Sequence, residues 1–145
     1  MIIVHKSVPE EILKDSVLAH VAAAYFAVAK KLERKTQCSA TRGFILSTLR
    51  GGAALNQNQI ATALGLDRTV VHRAIKTMVK ERLVSEKKAK SGRAILVHLT
   101  AEGERYRERL IKARRAADEK LRRSLTAEER SILVRLLKVV ADLDL

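Results

Sequence analysis

Apolar residues recur at helical spacing over most of this chain and alternate over two short stretches. Leu13, Val17, Val21, Ala24, Val28 and Leu32 form one stripe, and Leu18, Ala22, Tyr25, Phe26 and Ala29 widen it to most of a helix circumference. Pro9-Glu10-Glu11 suits the start of this helix, with Pro in the first turn and acids at the positive end of its dipole. A helix this apolar must be enclosed, and a 145-residue chain has few elements to do it. The pattern therefore predicts a partner chain.

Shorter elements follow. Thr41 is placed to cap a helix through Phe44, Ile45 and Leu49 that ends at Gly51-Gly52. Asn56 or Asn58 opens a second, carrying Ile60, Ala61 and Leu64, and Asp67 caps a third with Val71, Ile75 and Met78. Leu83 to Lys87 and Ala94 to Leu99 read as strands around a charged tip, Lys88-Ala89-Lys90-Ser91-Gly92-Arg93. Thr100 leads into a helix with Tyr106, Leu110, Ala113, Ala117 and Leu121 on one face. Thr126-Ala127-Glu128-Glu129 reads as a capping box for a last helix bearing Ile132, Leu133, Leu136, Leu137, Val140 and Leu143.

Charge turns this pattern toward a partner class. The chain carries 29 Lys and Arg against 16 Asp and Glu, a net +13. Its distribution is uneven: residues 67–93 hold nine basic and three acidic residues, while 124–145 are slightly acidic. A concentrated positive field points to a polyanion-binding face. Aromatics make up only 3% and Trp is absent, which argues against a surface that stacks single-stranded bases.

The stretch from Gln59 to Ile75 joins these observations. A helix–turn–helix needs a small residue where its helices cross, here Ala61, and a turn residue tolerant of positive φ, here Gly65. On the second helix Thr69, His72, Arg73 and Lys76 form a polar stripe opposite Val71, Ile75 and Met78. Such a helix fits the DNA major groove, where Arg pairs with guanine and Thr, His and Lys add contacts. Arg68, Lys88 and Lys90 are candidates for phosphate, and Arg93 for an adjacent minor groove.

From about Thr41 to Leu145 the chain resembles the MarR family of transcriptional regulators. The likeness lies in the helix–turn–helix Ile60–Met78, the stretch Arg93-Ala94-Ile95-Leu96-Val97-His98-Leu99-Thr100, the following Ala101-Glu102-Gly103-Glu104, and Leu125-Thr126-Ala127-Glu128-Glu129-Arg130. It implies a mainly α fold with a small β-hairpin wing: a winged helix-turn-helix DNA-binding domain over 41–103 and a helical dimerisation region over 1–40 and 104–145. It further implies a cytoplasmic homodimer on double-stranded DNA with a pseudo-palindromic operator, usually a repressor, and in many members a small-molecule effector or a thiol switch. Two positions depart from the family. Ser91 stands where an Asp commonly positions the wing arginine, and Arg82 where a Gly is usual, so this helix end is expected to be capped differently.

Other features carry less. Cys38 alone excludes an intramolecular disulfide and reads as structural rather than as a redox sensor. His5, His20, His72 and His98 form no metal-ligand spacing, no cofactor is implied, and no catalytic motif is present. No signal peptide or membrane span is expected. Tyr25, Phe26, Phe44 and Tyr106 read as core, leaving no effector pocket legible, and the basic run from Arg105 to Arg115 reads as a solvated helix face. The competing function is a sequence-tolerant architectural DNA-binding protein.

Overall fold

The computed structural model describes residue 11 and residues 14–144. Helix α1 (Val17–Thr36) begins on Ser16, whose hydroxyl accepts from the Ala19 N–H at 3.1 Å. The expected start at Pro9-Glu10 and the stripe position Leu13 lie outside the described residues, and Lys14-Asp15 form a turn just before the cap. Helix α2 (Ala40–Thr48) is capped by Ser39, not Thr41: the Ser39 hydroxyl accepts from the Arg42 N–H, and Thr41 sits inside the first turn. Ser39 wins because its backbone is extended (φ −64°, ψ 156°), as an N-cap requires.

A single 3-10 turn (Arg50–Gly52) leads to helix α3 (Gln57–Leu64). Asn56 and Gln59 close a reciprocal capping box, so Asn56 rather than Asn58 is the cap. Gly65 ends α3 at φ 61°, the left-handed conformation its turn was expected to need. Helix α4 (Arg68–Lys80) follows, then strands β1 (Val84–Lys88) and β2 (Ile95–Leu99), paired antiparallel from Val84–Leu99 to Lys88–Ile95. Leu55 adds one further rung, exchanging both backbone hydrogen bonds with Val97.

The end of α4 answers the question raised by Arg82. The Leu83 N–H donates to Met78 O at 2.9 Å and the Arg82 N–H to Val79 O at 3.0 Å, a Schellman motif with Arg82 at its left-handed position (φ 60°). The expectation of a different cap is therefore corrected: the glycine-type cap is kept and an arginine adopts it. A Cβ in this region is disfavoured, so Arg82→Gly is expected to raise unfolding free energy by about 0.5–1 kcal/mol, read from the denaturant midpoint.

Helices α5 (Ala101–Ser124) and α6 (Ala127–Ala141) complete the chain, α6 opening on a Thr126–Glu129 capping box. The chain divides into two compact units, Met1–Leu110 and Ile111–Leu145. The core of the first gathers Ile45 and Leu46 from α2 and Leu49 at its C-cap, Ile60 from α3, Val71, Ile75 and Met78 from α4, and Val84 and Val97 from the hairpin. All of these are essentially inaccessible to solvent. In the second, α6 buries none of its residues, and Ile132, Leu133, Leu136 and Leu137 are exposed. Helix α1 likewise buries none of its own.

One expectation about the core is corrected. Tyr25, Phe26 and Phe44 are exposed within this chain, and only Tyr106 is partly buried against the core. Along β2, Val97 is buried, Leu99 is partly buried against the core and Ile95 is exposed.

Candidate nucleic-acid interface

Local chemistry sets the second helix of the helix–turn–helix. Asp67 stands in extended backbone and its carboxylate accepts from the Thr69 N–H at 2.7 Å. That hydrogen bond, with help from the charge of Arg73, holds the Asp67 carboxyl below its ordinary range. A folded value below the unfolded one stabilises above the carboxylate range and is lost as pH falls through the depressed value. Melting midpoints of wild type and Asp67→Ala are accordingly expected to differ at neutral pH and to converge in acid.

Packing then sets the helix's rotation. Val71, Ile75 and Met78 are fully buried, which turns Arg68, Thr69, His72, Arg73 and Lys76 outward, and all five are exposed. The stripe expected from sequence thus forms one continuous polar face. Val70 joins this face at 44% exposure. Apolar contact with a thymine methyl is a common element of major-groove readout, and Val70 is off the buried period of its helix. That offset was the signal that could have singled it out.

The wing brings together Lys88, Lys90 and Arg93, all exposed. Lys88 is not in the tip: it is the last residue of β1, paired with Ile95, one residue beyond the expected strand end. The ladder continues to an Ala89 N–H to Ala94 O bond, leaving Lys90 to Arg93 as the turn, with Gly92 at φ 86°. Arg93 lines an open groove with Asn56, Gln57, Asn58 and Glu86, between the start of α3 and the wing.

Two residues on this side of the molecule escaped the sequence reading. The Gln57 carbonyl accepts from His72 Nδ1 at 3.0 Å, and the Gln57 amide donates to the Glu86 carboxylate at 3.0 Å. One short chain of hydrogen bonds thus links α4, the start of α3 and β1. These residues lie 15 and 29 positions apart, so no local pattern reveals them.

Elsewhere, the first three arginines of the basic run on α5 are tied to its own acids: Arg105 and Arg109 to Glu102, and Arg107 to Glu104. Cys38 is buried in the first unit's core, its thiol donating to Ser39 O at 3.4 Å. Among the described residues no group of three or more His, Cys, Asp or Glu is placed to hold a metal, and no helix is long and apolar enough to cross a membrane.

Comparison with known proteins agrees with this architecture. Residues 40–94 match the model of the MarR family. No curated protein sequence matches the chain. Among solved structures, the PcaV transcriptional regulator of Streptomyces coelicolor with its natural ligand superposes at a TM-score of 0.76 with 22% identity, covering 88% of this chain and 93% of that one. The MepR–DNA complex of S. aureus gives 0.78 at 19% identity, covering 89% and 98%. A mutant MarR from E. coli complexed with operator DNA gives 0.75 at 22% identity, covering 90% and 95%. Residues 40–94 are thus similar to the MarR family, and the chain shares the fold of these solved structures.

Proposed function

We propose that the chain is a sequence-specific, double-stranded DNA-binding transcriptional regulator, a cytoplasmic repressor that acts as a homodimer on a pseudo-palindromic operator and is released by a small-molecule effector. The observation that carries this reading is the exposed polar face of α4, held outward by the buried Val71, Ile75 and Met78 and flanked by a basic wing. Each subunit presents one such helix to one half-site. Thr69, His72, Arg73 and Lys76 read base edges, Arg68, Lys88 and Lys90 fix register on phosphates, and Arg93 enters the minor groove.

The dimer is supported by α1 and α6, taken separately. Each is a long helix with no buried residue and a row of exposed large apolar side chains, which a second copy would cover. The region 1–40 with 104–145 is the proposed dimerisation part, and 41–103 the DNA-binding part. Two solved relatives of the same fold are complexes with DNA and one with a ligand, which supports duplex and effector as partner classes here.

Selection of bound sequences from a random duplex pool tests the proposal. Enrichment of an inverted repeat supports a regulator, and binding without enrichment would favour the architectural alternative. Sedimentation at micromolar concentration tests the homodimer, and a folded monomer there would overturn it. Lys90→Ala is expected to weaken binding to all sequences alike and to make the salt dependence shallower, by about one in the slope for each phosphate no longer neutralised. An unchanged slope would remove Lys90 from the phosphate set.

A further inference from the structure

We infer that Glu86, acting through Gln57, fixes the tautomer of His72 so that its exposed Nε2 is a hydrogen-bond acceptor, and thereby sets a preference for cytosine or adenine at one base of each half-site. The inference rests on the regulator reading above, because it concerns what one side chain of that face selects.

The chemistry runs from the carboxylate outward. An ionised Glu side chain can only accept hydrogen bonds, so the group that Gln57 turns toward Glu86 must be its amide nitrogen. This leaves the Gln57 oxygen facing His72, and a carbonyl oxygen can only accept. The His72 Nδ1 must therefore carry the proton. In the neutral ring the other nitrogen, Nε2, then holds a lone pair. Among the described residues none bonds to Nε2, and His72 is exposed on the face that carries Thr69, Arg73 and Lys76.

An acceptor in the major groove distinguishes bases by their exocyclic groups. Cytosine presents N4–H2 and adenine N6–H2, both donors, whereas guanine O6 and thymine O4 repel a lone pair. The opposite tautomer would reverse that choice. Glu86 touches neither the imidazole nor, on this reading, a base, so it is a positioning residue: its effect reaches DNA only through the orientation of one amide.

Glu86→Gln is the informative change, because glutamine can turn either an acceptor or a donor toward Gln57 and so releases the amide. Long-range 15N–1H correlation spectra of the full chain, recorded in alkaline buffer where imidazole is neutral, read the tautomer directly. Wild-type His72 is expected to show the Nδ1–H pattern and E86Q a mixture of both. Selection from a random duplex pool reads the consequence. His72→Ala identifies the position whose preference depends on this ring. There wild type is expected to favour cytosine or adenine by about tenfold, and E86Q to fall below about twofold while the rest of the repeat persists.

An Nε2–H signature in wild type would overturn the clamp, and an unchanged preference in E86Q would overturn its role in specificity. A wild-type pool with no enriched repeat would overturn the regulator reading and the base choice with it, while the spectra still judge the clamp independently.

Discussion

Gly103→Ala is expected to destabilise the first unit by about 3 kcal/mol, seen as a lower denaturant midpoint at an unchanged slope. Gly103 lies in the first turn of α5, where alanine is ordinarily the better helix former by about 1 kcal/mol. Here that preference is overridden. A Cβ on Gly103 would stand 1.9 Å from the carbonyl oxygen of Leu83 and 3.2 Å from a methyl of Leu99. The obstructing atom is backbone, and it is committed: Leu83 O already accepts from the Thr100 N–H at 3.1 Å. Thr100 is held in turn, its hydroxyl donating to Arg82 O at 2.6 Å and accepting from the Gly103 N–H at 3.0 Å. Relief therefore requires moving either the start of β1 or the whole first turn of α5. A loss smaller than about 1 kcal/mol would show that this junction yields easily.

Arg73→Ala is expected to cost about 1–3 kcal/mol of discrimination at one base pair per half-site, with the remaining pattern of preferred bases intact. Arg73 is exposed in the middle of the outward face of α4, nearly two turns beyond the Asp67 cap. Its guanidinium has the forked geometry that fits guanine O6 and N7. The contrast with Lys90→Ala is the point of the measurement. Loss of a base-reading arginine changes the sequence logo, whereas loss of a wing lysine changes the response to salt. An equal loss on every duplex after Arg73→Ala would place Arg73 among the phosphate contacts instead.

Much of this architecture was legible because it is decided within a few residues. Asp67 as the cap of α4, Gly65 as the left-handed turn and Thr126 with Glu129 as a capping box are local competitions for backbone N–H groups, and each stands where the sequence places it. Boundaries slipped where two local solutions competed. Ser39 and Thr41 both bear a capping hydroxyl, and the extended backbone at Ser39 decided between them. Lys88 extended β1 because Ile95 and Ala94 supplied further rungs.

The face of α4 was legible from the spacing of Val71, Ile75 and Met78, since burying one side of a helix determines the other. What surrounds it was not. Gln57 meets His72 and Glu86 only after three elements have packed, and the tight approach of Gly103 to Leu83 depends on where α5 leaves the hairpin. Arg82 is the intermediate case. The sequence shows that glycine is missing, but only the formed α4 cap shows that an arginine takes the same conformation. The aromatic residues failed in the other direction. Tyr25 and Phe26 have the composition of a core, yet this chain alone does not bury them.

The single rung between Leu55 and Val97 has a mechanical consequence. It makes β2 the middle member at the base of the wing, bonded on one side to β1 and on the other to the segment that enters α3. The base is thereby clamped to the same support as the reading head, while Lys90 to Arg93 lie past the last cross-strand bond. The wing is thus tied down at its base, and its tip is left outside the ladder. On the proposed regulator reading, differences in groove width between operators fall to these four residues, while the placement of α4 against the base of the wing is set within the fold.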